Sequence, residues 1–258
     1  MRDSYLVFGQ PRIEQAEIDE VVASMRSCWL GTGPKAAEFE RRVAAYKGVP
    51  HAVGLNSCTA GLHLACVVLG LEPGDEIITT PMTFCATVNA IVHAGATPVL
   101  ADVDPATMNL DPAAVRDAIT PRTRAILPVH FAGRPCDMDA LVAIAEEHDL
   151  KVIEDCAHAI ETEYRGKKAG TIGDLGVLSF YSTKNIVTGE GGMVLSTDGE
   201  LACQCAQLRD HGSTAKYVHS HVGTNSRLQA MQGAVLRLKL PHLETWNERR
   251  RFNAARYS

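Results

Sequence analysis

Seven short apolar runs, bounded by turn-forming or polar residues, recur along this chain with amphipathic helical segments between most of them. That alternation constrains the fold more than any other feature. The runs are His51–Leu55, Glu76–Thr79, Thr97–Ala101, Ala125–Val129, Lys151–Glu154, Gly176–Ser179 and Met193–Leu195. Helical spacing of apolar residues covers Ala60–Leu69, Thr87–Ala94, Pro112–Ile119 and Met138–His148. Parallel strands need a crossover between them, and strands covered on both faces read as near-continuous apolar runs. The pattern therefore predicts an α/β fold, a three-layer α/β/α domain around a mainly parallel seven-stranded sheet.

Composition narrows the function. A chain of 258 residues with 46% hydrophobic and 21% charged residues is an ordinary globular protein able to bury a large core. A formal charge of -5 gives no basic stripe for nucleic acid, and Arg249-Arg250-Arg251 reads as a solvated helix face. No run approaches the roughly 20 apolar residues of a membrane helix. Met1–Ser4 opens no export signal, so a cytoplasmic protein is expected. The eight cysteines are scattered through apolar or helical stretches and are expected as reduced, buried thiols. Leu240–Ser258 reads as one long amphipathic helix with no cap and no following strand, which predicts that a C-terminal segment is missing.

Open α/β sheets gather ligands at the carboxyl ends of their strands, and three such ends carry polar groups here. Lys151–Cys156 ends in Glu154 and Asp155; a carboxylate there suits a cofactor's pyridine nitrogen, and it equally suits the cap of a following helix. Gly176–Ser179 delivers Ser179 and then, through a polar turn, Lys184, ahead of Gly189-Glu190-Gly191-Gly192. Schiff-base chemistry needs such an amine with its pKa lowered, while a solvated turn lysine beside a glycine-rich hairpin fits the same residues. Asn56–Leu62 places small hydroxyl residues at a helix opening, which offers free N–H groups for a phosphate or an ordinary cap by Ser57 or Thr59. Phe84 follows a fourth strand end, where an aromatic is either core or a platform for a flat ring. No metal-ligand spacing completes a site around His211, His219 and His221, so no metal is expected. Cys203 and Cys205 are too close for a zinc or redox pair and are expected on a helix. A Rossmann glycine fingerprint is absent after the first strand.

Taken together, Trp29–Pro34, Asn56–Leu64, Pro81–Phe84, Ile153–His158, Ser179–Asn185, Gly189–Gly192, Leu208–Gly212 and Gly223–Arg227 resemble the DegT/DnrJ/StrS family of sugar aminotransferases dependent on pyridoxal 5′-phosphate (PLP). The resemblance implies the fold type I of aspartate aminotransferase and a homodimer with shared active sites. It makes Lys184 the Schiff-base lysine and Asp155 the partner of the pyridine nitrogen. Phe84 would stack on the ring, His158 would approach its 3-hydroxyl, and Thr59, Ala60 and Ser179 would hold the phosphate. Asn225 would reach the phosphate in the neighbouring subunit. The implied reaction moves an amino group from L-glutamate (or glutamine) to a keto-sugar, expected to be nucleotide-linked, through Lys184 as proton carrier. The sugar-dehydratase branch carries histidine in place of Lys184, and a truncated, non-catalytic regulator or dimerisation partner is the alternative from another class. Residues 1–240 would form the PLP-binding large domain with an N-terminal arm, and residues 241–258 the start of a helix linking it to a smaller domain. Ser226, where the family commonly has an aromatic, and Gly61, where alanine is usual, depart from the pattern.

Overall fold

The computed structural model describes residues 5, 7 and 9–257; Met1–Ser4, the stretch read for an export signal, and Ser258, the end of the expected tail helix, lie outside them. Helices α1 (Gln15–Arg26) and α2 (Pro34–Lys47) precede strand β1 (His51–Leu55). There follow α3 (Cys58–Val67), β2 (Glu76–Thr79), α4 (Cys85–His93), β3 (Thr97–Leu100), α5 (Pro112–Ala118), β4 (Thr123–Leu127), α6 (Met138–Glu147) and β5 (Lys151–Cys156). A small hairpin, β6 (Glu163–Tyr164) and β7 (Lys167–Lys168), leads to β8 (Leu175–Ser179) and β9 (Gly192–Ser196). The chain continues through α7 (Gly199–Leu208), the hairpin β10 (Ser213–Ala215) and β11 (Val218–His219), α8 (Ala230–Lys239) and α9 (Leu243–Ala254).

The main sheet has seven strands in the order β1-β9-β8-β5-β4-β2-β3. Strands β3, β2, β4, β5 and β8 run parallel, and β9 is antiparallel to both β8 and β1. Six strands thus share one direction and β9 alone is reversed. Successive side chains point to opposite faces, which divides the core. Ile77, Ile153, Val177 and Val194 pack with α3, α4 and α7 on one face. On the other, Leu178 and Met193 pack with α2 and α8, and Ile78, Ile126 and Val152 with α5 and α6. This is the expected three-layer arrangement.

Several boundaries differ from expectation for identifiable reasons. β4 starts at Thr123 and closes at Leu127, because Pro128 has no N–H to donate to the ladder. β5 runs on to Cys156 and a turn follows, so Glu154 and Asp155 lie in the strand and cap no helix. The tail divides into a 3-10 turn at Leu240–His242, which contains Pro241, and α9. All eight cysteines are free, but only Cys66, Cys136, Cys156 and Cys205 are buried; Cys28, Cys85 and Cys203 are exposed. Cys203 and Cys205 do sit on a helix, α7. Gly61 lets α3 press on the sheet, since a Cβ there would lie 2.6 Å from Val177 Cγ1.

Gly176 in β8 is crossed even more closely. A Cβ at this position would lie 2.2 Å from the Gly170 carbonyl oxygen and 2.4 Å from Gly170 Cα. Backbone cannot swing aside as a side-chain tip can. We expect Gly176→Ala to cost about 3 kcal/mol of stability, measured by urea unfolding; a wild-type midpoint would contradict this close packing.

Candidate active site

Alternation along β5 sends its two acids to opposite sides of the sheet. Glu154 is fully buried. Its Oε1 accepts the N–H groups of Ile172 (2.7 Å) and Gly173 (2.8 Å). Its Oε2 accepts from Gly170 N–H (2.7 Å) and from His130 Nε2 (3.0 Å). His130 Nδ1 accepts the Cys136 N–H at 3.1 Å, so the ring proton resides on Nε2 and is donated to Glu154. Burial pushes the Glu154 pKa up, but His130 and the N–H groups of Gly173 and Gly170 outweigh it and hold the carboxyl below its ordinary range. Ligand-type atoms of His130, Glu154 and Cys156 lie within 4.8 Å of one another, but these hydrogen bonds make the cluster a structural brace.

Asp155 is 3% exposed. Oδ2 accepts from Thr87 Oγ1 at 2.9 Å and Oδ1 from Ala157 N–H at 3.0 Å. Thr87, in the first turn of α4, is itself 2.7 Å from Thr83 Oγ1. Burial raises the Asp155 pKa, and the Ala157 N–H, the Thr87 hydroxyl and the nearby imidazoles of His130 and His158 only partly oppose it. Phe84, at the cap position of the same helix, is 78% exposed. A large aromatic left open one turn from the Thr87–Asp155 contact is available as a platform.

Lys184 sits in the connection between the antiparallel strands β8 and β9. Phe180 N–H donates to Gly191 O (2.8 Å), Thr188 N–H to Phe180 O (3.0 Å) and Lys184 N–H to Tyr181 O (2.9 Å), which holds the loop. The Lys184 side chain is half-buried, and burial lowers its pKa against the opposing influence of Cys58 and Asp155. Lys184, Ser179 and His158 line a cavity of about 990 Å³ together with Asn247, Arg250 and Arg251 of α9. Burial and the charge of Lys184 also lower the His158 pKa, against a smaller upward pull from Asp155, so His158 is neutral near pH 7.

The sheet register brings the remaining residues together. Gly192 pairs with both Leu55 and Ser179, so the end of β1 and the end of β8 meet across it. A Cβ on Gly192 would lie 2.3 Å from Ser57 O and 2.5 Å from Cys58 N, so only glycine lets α3 open beside Ser179. Ser57 Oγ accepts the Ala60 N–H at 3.1 Å. The N–H groups of Cys58 and Thr59 have no hydrogen-bond partner among the described residues. Asn225 is exposed; its carbonyl accepts from Asn56 Nδ2 at 3.4 Å, which sets the 225–227 segment along the end of β1. Ser226 is 7% exposed beside Thr224, with 2.7 Å between the hydroxyl oxygens, so this position holds a small buried polar group where an aromatic is common in the family. His219 bonds the His211 carbonyl within the exposed β10–β11 region.

These groups fit PLP. Open N–H groups at a helix start and the Ser179 hydroxyl suit a phosphate, Asp155 suits a ring nitrogen, and Lys184 is a desolvated amine. Sequence reasoning missed Thr87, because its partner lies 68 positions away. It also missed the α9 residues, whose charged pattern signals solvent.

Comparison with known proteins gives the same picture. The chain matches the DegT/DnrJ/EryC1/StrS aminotransferase family over residues 11–258. It is 44% identical to the spore coat polysaccharide biosynthesis protein SpsC of Bacillus subtilis, over 99% of this chain and 69% of that protein. It is 47% identical to the dTDP-3-amino-3,4,6-trideoxy-alpha-D-glucose transaminase of Streptomyces venezuelae, over 94% of this chain and 65% of that protein. Its fold matches the crystal structure of S. venezuelae DesV in complex with a ketimine intermediate with a TM-score of 0.91 at 45% identity, covering 93% of this chain and 65% of that one. The chain therefore spans roughly two thirds of the length of these relatives.

Two outcomes follow from the electrostatics. Because the folded Asp155 pKa lies above its ordinary value, the cofactor-free protein loses stability as pH rises through that folded value. At pH 7 we expect cofactor-free Asp155→Asn to melt ~2–4 °C above wild type, with the gap closing in acid; a lower Tm at pH 7 would overturn this. Capture of added PLP by Lys184 would require the neutral amine, so its rate should rise with pH and level off with an apparent pKa below the ordinary 10.5. Stopped-flow absorbance of cofactor-free protein reads this directly, and an inflection at or above 10.5 would contradict the desolvated setting.

Proposed function

The chain belongs to the DegT/DnrJ/EryC1/StrS aminotransferase family, and from that premise we propose that it moves an amino group from L-glutamate to a nucleotide-linked keto-sugar, with PLP as cofactor. The observation that carries this reading is the convergence of Lys184, Asp155, Ser179 and the α3 opening at one end of the sheet.

In this reading the phosphate rests on the Ser179 hydroxyl and the first turn of α3. There Thr59 offers an open N–H, while that of Ala60 is already engaged by Ser57. Bound at this place, PLP supplies an electron sink for the negative charge left on carbon when a proton departs. Asp155 would hold a proton on the ring nitrogen, and the burial of its carboxylate would strengthen that pairing. The Thr87 hydroxyl and the Ala157 N–H keep the carboxylate oriented. Phe84 would stack on the ring, and His158 would approach its hydroxyl.

Lys184 Nζ removes the proton from the donor's α-carbon and returns a proton during transfer to the sugar. Burial lowers its affinity for the proton it must release again. The balance is L-glutamate plus keto-sugar giving 2-oxoglutarate plus amino-sugar. A homodimer belongs to the same proposal. Ile18, Met25 and Leu30 leave apolar surface exposed near the N-terminal helices, and Asn225 is free to reach towards a neighbour's phosphate.

The test is the spectrum of PLP-loaded protein, which should shift on addition of L-glutamate, together with glutamate-dependent amination across a panel of nucleotide-linked keto-sugars. Lys184→Ala should lower amination by about 10³-fold or more while leaving the circular dichroism unchanged. Retained turnover in that variant would remove Lys184 from this role, and a wild type that gains no PLP absorbance would favour a non-catalytic protein.

A further inference from the structure

We propose that Glu161 and Asn247 recognise hydroxyl groups of the keto-sugar and so determine which sugars enter the site, an inference that rests on the aminotransferase reading above. Among the described residues, three buried side-chain polar atoms have no hydrogen-bond partner, and two of them, Glu161 Oε2 and Asn247 Nδ2, belong to residues lining the Lys184 cavity. A buried donor or acceptor left unpaired costs free energy, so native structures seldom leave one without a use. Here one acceptor and one donor are carried by two residues of the same cavity wall.

The orientation of both groups is determined by their other contacts. Asn185, next to Lys184 in sequence, donates its Nδ2 to Glu161 Oε1, which leaves Oε2 as the spare acceptor. Arg250 Nη1 donates to Asn247 Oδ1 at 2.7 Å; a guanidinium can only donate, so the amide must present Nδ2 as the spare donor. Arg250 Nη2 also reaches the Asn185 carbonyl at 3.4 Å, tying Asn247 back to the lysine loop. Asn247 is 3% exposed, so bulk water does not serve its free amide.

A spare acceptor and a spare donor together select the ligand chemistry. An ammonium group only donates and would leave Asn247 unsatisfied. A carboxylate or phosphate only accepts and would leave Glu161 unsatisfied. Hydroxyls do both, and a sugar carries several next to its reacting carbon. A site built to bond a hydroxyl rejects the deoxy analogue strongly, because its own polar groups then stay unpaired.

The experiment uses calorimetric binding of UDP-glucose, dTDP-glucose and their singly deoxygenated analogues to the PLP-loaded protein; lacking a keto group, these ligands bind without turnover. Wild type should lose about 10-fold or more in affinity for at least one deoxy analogue. Glu161→Gln and Asn247→Asp keep the contacts to Asn185 and Arg250 but reverse the polarity of the spare atom. Each should bind the parent sugar more weakly and lose most of the discrimination against that deoxy analogue. Undiminished discrimination in both variants would overturn the proposal, as would a wild type that binds every deoxy analogue like its parent or binds neither parent. Should either variant unfold, the wild-type deoxy series decides alone. Sugar discrimination without any glutamate-induced spectral change would refute the aminotransferase reading while leaving hydroxyl recognition intact.

Discussion

Glu154 carries the constraint on which the rest of the site depends. A fully buried carboxylate is costly unless hydrogen bonds surround it, and here three backbone N–H groups and the His130 ring do so. The same bonds fold Gly170–Gly173 back against β5, which directs the chain into β8 at the register that ends on Ser179. From Ser179 the polar turn leads to Lys184. Glu154 thus helps to position Ser179 and Lys184 through the backbone, while its neighbour Asp155 lies on the opposite side of the sheet.

Close backbone approach is the second constraint. Gly176 lets the 170–173 loop cross β8, and Gly192 lets the α3 opening lie beside Ser179. Neither contact stabilises much by itself. Their effect is to exclude side chains from places where these elements must meet, and they explain why the polar ends of the strands converge on one region.

Most strands were legible because burial on both faces makes them unbroken apolar runs, although the edge strand β3 is partly exposed; all seven expected runs agree with the observed strands to within two residues at each end, and Pro128 closes β4 at Leu127. α1 was not legible, because its pattern is inverted. Ile18, Val22 and Met25 are exposed, while Glu17 and Ser24 are buried and engaged by Lys239 and Lys35. Polar groups satisfied by partners on distant segments leave no periodic signal. The same reason hid Thr87 and Glu161, whose partners lie on other segments, whereas Lys184, Asp155 and Ser179 stand at or just beyond strand ends. Family resemblance carries the roles proposed for them, and the hydrogen bonds around them give the physical setting.

The reversed strand has a consequence for the order in which the molecule can form. β1 is an edge strand, and among the described strands its ladder partner is β9, which is made much later in synthesis. The sheet from β3 to β5 pairs elements that follow one another closely, and it can assemble while the rest is still emerging from the ribosome. β1 and the α3 opening must wait, with their backbone groups unpaired, until β9 arrives. The half of the molecule that would seat a phosphate is therefore completed late, and a nascent chain halted before Gly192 would expose an unpaired strand at the edge where the binding region is to form.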